Sequence, residues 1–480
     1  MNPSNLELIT TTALEGRMRD LRTRQYVLRS LHDKLAHNAE ELVQAIQKDD
    51  GISQAEAQLV VAAALMEVRV HYDALDLDQE LEREYRIARG KPCLEQRGPH
   101  GIVYVIPDAY TCLFGIVAAL SAAFEAGNCG VVELNPTLRH TPQLLQQYFS
   151  ELNLEDVLAI TTERPHADFV EECLVVDQAS EESSQHLIRR QEVAHSGALV
   201  SIPQRTVAIV DRTGDIGAAA KEIAACTVLF HGQGRYSVDQ VLVNEFVAED
   251  FFSILKGELL SAASEKPQAG TRSNRETYSG SRVVLDLQGI KVVEVHDRSS
   301  PLLHQRQPAQ VLCIHKITSL DDAIDTVNET KKQLGALYLF TGSDEAKYLS
   351  QYISTRATFV DHIPPELQIG PAYPIGFPTS ITQRYARAMF EIPCPERVSG
   401  GKVRQLATVW QHIKGGKASS ILSKACGPLK LTGQGKAGAM DFFAQGMLLN
   451  LVVCVLPMAA LSVVATGKGL AFLYQKFSGH

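Results

Sequence analysis

Between Val207 and Val243 the chain reads as a strand, a helix and a second strand with little between them. Val207-Ala-Ile-Val-Asp211 is an apolar run, Asp215 to Phe230 is helix-forming, and Gly232-Gln233 leads into the apolar strand Val238 to Val243. The same alternation occurs upstream, where Gly101-Ile-Val-Tyr-Val-Ile106 precedes the apolar helix Leu113 to Ala126 and the turn Gly127-Asn128. It returns downstream in Val311-Leu-Cys-Ile314, Leu320-Asp-Asp-Ala-Ile324 and Leu334-Gly-Ala-Leu-Tyr-Leu-Phe340. Strands and helices alternating in this way belong to the α/β class.

At 480 residues, with 45% apolar and 21% charged side chains, the chain is long enough for two or three domains with large cores. A net charge of -9 argues against nucleic acid as a partner. The cysteines (93, 112, 129, 173, 226, 313, 394, 426, 454) include no Cys-x-x-Cys pair, so neither a metal site nor a disulfide framework is indicated and a reducing compartment fits. Met1 to Gly16 is polar and does not read as a secretory signal. Amphipathic helices are expected after it, with Leu21, Tyr26, Leu28, Leu31, Leu35 and Leu42 as the apolar stripe.

Taken with their spacing, these anchors resemble the aldehyde dehydrogenase superfamily over roughly residues 10 to 400. The resemblance implies that family's fold: a Rossmann-like cofactor domain over 1–200, an α/β catalytic domain over 201–365, and a return to the cofactor domain over 366–410. It also implies a bridging strand arm built from roughly 80 to 98 and 385 to 410, followed by a linker over 411–443. NAD or NADP is the cofactor it implies.

Carried over one at a time, the family's chemical positions are occupied by other residues. Its oxyanion-binding Asn falls on Tyr110, its ribose-binding Lys on Glu133, and its Gly-Ser helix start on Ala179-Ser180. Its catalytic Glu falls on Ser201, its nucleophilic Cys on Arg235, and the Glu that grips the nicotinamide ribose on Arg306.

The chemistry needs a thiolate, an oxyanion donor, a hydride acceptor and a base to activate water. Arginine stays protonated and offers no lone pair at neutral pH. Serine lacks useful proton affinity without its own base. Glu133 places negative charge where the family has a cation, which disfavours a nearby phosphate. Cys112, two residues after Tyr110, is the one candidate for a displaced nucleophile, although free cysteines more often pack as small hydrophobes, and Cys226 reads that way.

From Gly446 to Gly467 the chain runs twenty-two residues without a charge. At about 1.5 Å per residue that is enough to cross a ~30 Å hydrocarbon layer. Lys414, Lys417, Lys424, Lys430 and Lys436 precede the run, and Lys468 and Lys476 follow it. The expectation is a transmembrane helix acting as a C-terminal tail anchor, with the large domain cytosolic. A buried core helix or a hydrophobic tail docked on the domain is the other reading, supported by Asn450 and Pro457. The polar stretch 262–282 reads as a solvated loop.

Together these features resemble divergent fungal aldehyde dehydrogenase-like proteins encoded beside polyketide synthases. Two function classes stay open: a non-catalytic accessory of a membrane-associated pathway, and an oxidoreductase acting on a hydrophobic aldehyde. The expected partners are the membrane, a second copy of the chain and enzymes of the same pathway.

Overall fold

The computed structural model describes residues 3–91, 93, 95–134, 137, 139–178, 197–264, 281–287, 290–307, 310–395, 422–423, 425–429, 442–455, 457–458 and 466–468. The chain divides into two units, Met1–Gly400 and Gly401–His480.

Helices open the first unit: α1 (Pro3–Glu15), α2 (Leu21–His37), α3 (Ala39–Asp50), α4 (Gln54–Asp73) and α5 (Leu77–Ala88). Side-chain caps satisfy backbone donors that a helix start leaves unpaired. Asp20 accepts the Thr23 N–H at α2, and Ser53 with Glu56 closes a capping box at α4. α2 buries Leu21, Leu28, Leu31 and Leu35. Tyr26, expected on the same stripe, is exposed. Two residues from Leu28, it points about 200° away around the helix.

A strand arm was expected from about residue 80, but 77–88 is helical. Asp76 caps the helix by accepting from the Asp78 and Gln79 N–H groups. Asp78 and Glu80 in its first turn and Arg86 in its last suit the helix dipole. Strand pairing begins only at β1 (Arg97–Pro99), which lies antiparallel to a strand at Glu391–Pro393.

A five-stranded parallel sheet follows: β2 (Ile102–Ile106), α6 (Cys112–Ala126), β3 (Cys129–Glu133), α7 (His140–Ser150), β4 (Leu158–Thr161), α8 (Ala167–Glu172), β5 (Leu174–Asp177) and β6 (Ala198–Val200). Its order is β4-β3-β2-β5-β6, so the chain winds outward from β2 and then returns to β2's other side. The crevice beyond the carboxyl ends of β2 and β5 is the place where such sheets hold ligands. Every residue of α6 is buried, including Glu125. A helix apolar all round must be enclosed, and α2 and α4 pack on this one.

A seven-stranded sheet is built from β7 (Thr206–Val210), α9 (Ile216–Val228), β8 (Gln240–Asn244), α10 (Ala248–Ser264), β9 (Ser281–Leu287), β10 (Ile290–Val295), β11 (Val311–Ile317), α11 (Leu320–Asn328), β12 (Ala336–Phe340), α12 (Ser343–Tyr352) and β13 (Thr358–Val360). Its order is β13-β12-β7-β8-β11-β10-β9, and β9 runs antiparallel to β10. Strands β7, β8 and β12 are buried throughout. Separate apolar clusters centre on Phe251 and Tyr338, and on Leu242 and Leu337. The strand at Glu391–Pro393 is β14. Of the polar stretch 262–282, residues 265–280 lie outside the described residues.

In the second unit, helix α13 (Phe442–Asn450) is followed by a π-helical turn over Leu451–Val455. Among the described residues no helix is long and apolar enough to cross a membrane. The expected span 446–467 lies partly outside them, at 456 and 459–465.

Candidate functional site

The loop leaving β2 and the loop leaving α9 meet at a cavity of about 490 Å³. Asp108 and Tyr110 line it from the first loop, and Gly232, Gln233 and Arg235 from the second. Asp50, Arg139, Asp239 and Arg306 also line it.

Arg235 reaches the cavity through an unusual backbone path. Phe230 and His231 are both left-handed, with φ of 50° and 55°. Such conformations are costly for bulky residues and persist only when neighbours hold them. Glu56 Oε1 accepts the Phe230 N–H at 2.8 Å, and His231 Nε2 lies 3.2 Å from the Gly51 carbonyl. A Cβ at Gly234 would displace Gln368 Oε1 and Ser237 Oγ from their places.

Arg306 fixes the rest of the loop. Its Nη1 donates to the carbonyls of Arg235 (2.7 Å) and Gln204 (3.1 Å), and its Nη2 to that of Gly234 (2.9 Å). Three of its four terminal N–H groups are thus given to the backbone.

The Arg235 guanidinium donates to Asp108 Oδ2 through Nε at 2.8 Å and also through Nη2. It lies 5.5 Å from the centroid of the Tyr110 ring, within cation–π range. Asp108 Oδ1 accepts the Tyr110 N–H at 3.2 Å. The Tyr110 hydroxyl donates to the Gln368 carbonyl. Burial raises the pKa of that hydroxyl well above the usual phenol range, so it stays a neutral donor.

The remaining charges are also matched internally. Arg139 pairs with Asp50 and donates to the Ala109 carbonyl at 2.7 Å. Asp239 accepts N–H groups from Thr206 (2.8 Å) and Gln307 (3.1 Å). Burial raises the Asp239 pKa, against the opposing charge of Arg306. Among the described lining residues there is neither cysteine nor histidine.

The other sequence-derived positions lie elsewhere. Ser201 follows β6, is 1% exposed and sits beside the Tyr385 hydroxyl without lining the cavity. Its N–H donates to the Asp177 carbonyl at 2.9 Å. Cys112 begins α6 and is buried, which pushes its thiol up to about 12. The Cys226 thiol is raised to about 12 by the same cause.

Glu133 ends β3, where it accepts from the Tyr104 hydroxyl and from Arg164 Nε at 3.3 Å. Ala179 and Ser180 lie outside the described residues. Two of the positions expected to meet a dinucleotide are engaged within the protein. Glu133 is a carboxylate already engaged, and Arg306 gives three of its four terminal N–H groups to backbone carbonyls. Sequence reading missed Asp50, Asp108, Arg139 and Gln368, none of which sits in a motif.

The architecture is that of an α/β protein built on a five-stranded and a seven-stranded sheet. The aldehyde dehydrogenase family model matches residues 12–280, more than half of the chain. The chain belongs to the aldehyde dehydrogenase family. A comparison with curated proteins returns no match. Among solved structures, Staphylococcus aureus AldH in a substrate-bound state aligns at TM-score 0.65 and 15% identity, over 85% of this chain and 99% of that one. Glyceraldehyde-3-phosphate dehydrogenase GapN from Methanocaldococcus jannaschii, complexed with NADP, aligns at 0.58 and 15%, over 75% and 85%. An NAD-dependent benzaldehyde dehydrogenase from Corynebacterium glutamicum aligns at 0.59 and 16%, over 75% and 85%. At such identity the likeness concerns the fold.

Proposed function

We propose that this chain is a non-catalytic aldehyde dehydrogenase, tethered to a membrane through 446–467, that serves as an accessory in a fungal polyketide-type pathway. One observation supports the loss of catalysis: Arg235, which the sequence resemblance sets at the nucleophile's position, is held by Asp108 over Tyr110. A thiolate cannot be replaced there by a cation that accepts no electrophile. The neighbouring Cys112 is buried and its thiol is raised to about 12, so it supplies no substitute. NADP and NAD stand with the similar solved structures, and the engaged Glu133 and Arg306 speak against tight binding here. The pathway setting rests on the sequence resemblance, and the tether on the uncharged run.

The test is aldehyde-dependent formation of reduced nicotinamide by the full-length protein. We expect no rate above a heat-killed control with aliphatic or aromatic aldehydes and either cofactor. Turnover would favour the other reading, an oxidoreductase acting on a hydrophobic aldehyde. The tether is tested by carbonate extraction. The full-length protein should stay in the pellet, and Val455→Arg with Leu461→Arg should release it, since a charge near a bilayer centre costs roughly 2.5 to 3.5 kcal/mol.

A further inference from the structure

His71 lies in the core of the first unit with 0% exposure. Its Nδ1 is 2.6 Å from Glu125 Oε2 on α6, and its Nε2 is 3.6 Å from Glu67 Oε2 one turn back on α4. Two carboxylates in so dry a place need a cation between them. Arg24 of α2 is close, but its Nη1 donates to the Glu125 backbone carbonyl at 2.9 Å and its Nη2 faces Glu80 at 3.3 Å. α3, which also packs on α4, brings the apolar Leu42, Val43 and Ile46 to this core.

Glu67 has a second task. Its Oε1 accepts the Arg384 N–H at 2.8 Å. The buried Arg384 guanidinium lies 4.6 Å from the Tyr373 ring centroid and donates to the carbonyls of Ile369 (2.6 Å), Glu366 (3.3 Å) and Pro371. Residues 366–384 therefore form a strap knotted on Arg384. Within it is Gln368, the partner of Tyr110. Glu67 and Arg384 also line a surface groove with Met66, Val70 and Ser380, which gives Glu67 a route to water.

We propose that the His71 imidazolium fastens this strap to α4 through Glu67, so that removing its proton loosens residues 366–384. Burial alone would lower the imidazole pKa, but the hydrogen bond to Glu125 and the charges of Glu125 and Glu67 outweigh it and raise it to about 9. Once His71 is neutral, two buried carboxylates face each other without a cation, and Glu67 turns toward the groove. With the strap closed His71 holds its proton up to about pH 9, whereas with Glu67 turned into the groove it keeps Glu125 alone and holds the proton less firmly. The closed form is thus favoured at lower pH. Its advantage falls as pH rises toward about 9, by at most about tenfold per pH unit.

Limited trypsin digestion of the full-length chain, mapped by mass spectrometry, tests this. Cleavage after Arg384 is measured against cleavage after the exposed Arg89, so that the enzyme's own pH response cancels. The ratio should rise severalfold from about pH 7 to about pH 9.5. In Glu67→Gln, which keeps an acceptor for the Arg384 N–H and removes one carboxylate, the ratio should stay flat. In His71→Gln it should be high already at neutral pH. If that variant fails to fold, the wild type and Glu67→Gln decide the matter. A flat wild-type ratio, an equal rise in Glu67→Gln, or a parallel rise at the buried Arg205 would overturn the proposal.

Discussion

Arg235 and Asp108 are 127 residues apart in sequence, yet two guanidinium nitrogens of the one converge on a single carboxylate oxygen of the other. The pair fixes a cation in the wall of the cavity. Asp108 is 8% exposed, so stripping it of its partner leaves a poorly solvated charge. Arg235→Ala should cost about 2–3 kcal/mol in urea unfolding. Adding Asp108→Ala to it should recover much of that loss. If the single variant is neutral, the pair does not organise the loop.

Dinucleotide should do little to the folded state. Glu133 is held by Tyr104 and Arg164, and Arg306 by three carbonyls. A ligand present at 100 times its Kd adds about 2.7 kcal/mol of stability, worth several degrees of Tm. Saturating NAD or NADP should shift Tm by less than about one degree. A shift of many degrees, abolished by Arg306→Ala, would show that Arg306 leaves its carbonyls to grip a phosphate.

Cys112 should resist alkylation in the native protein. Burial raises its thiol to about 12, so its thiolate fraction at neutral pH is on the order of one in 10⁵. Iodoacetamide labelling followed by peptide mapping should leave Cys112 unmodified near pH 7. Because the folded pKa is raised, the rate should still climb about tenfold per pH unit at pH 9 to 10. Labelling at neutral pH at the rate of an exposed thiol would contradict this.

The fold was readable from sequence because its strands are apolar runs enclosed on both faces, a pattern that survives heavy substitution. The run Val207 to Asp211 is β7, and Asp215 caps the helix that follows, as its short acceptor side chain suits. Tyr110, Arg235 and Arg306 were singled out by position, and the structure gathers all three at one cavity. Ser201 and Glu133 were singled out in the same way, but each is buried against other partners. The ion pairs that fill the cavity were not legible. Asp50 meets Arg139 across 89 residues, and Gln368 meets Tyr110 across 258. No periodicity or motif connects such positions, because fold closure alone brings them together. The helix over 77–88 was misread as strand because its signal is a cap at Asp76 rather than an apolar run.

The most direct measurement is the intact mass of the full-length protein after incubation with a reactive aldehyde and either nicotinamide cofactor. A thioacyl or thiohemiacetal intermediate requires a nucleophilic thiol, and among the described residues none lines the cavity. The protein should emerge without an adduct that maps to a cysteine, in wild type and in Cys112→Ala alike. A covalent thiol adduct present in wild type and lost in Cys112→Ala would show that the nucleophile has moved rather than vanished.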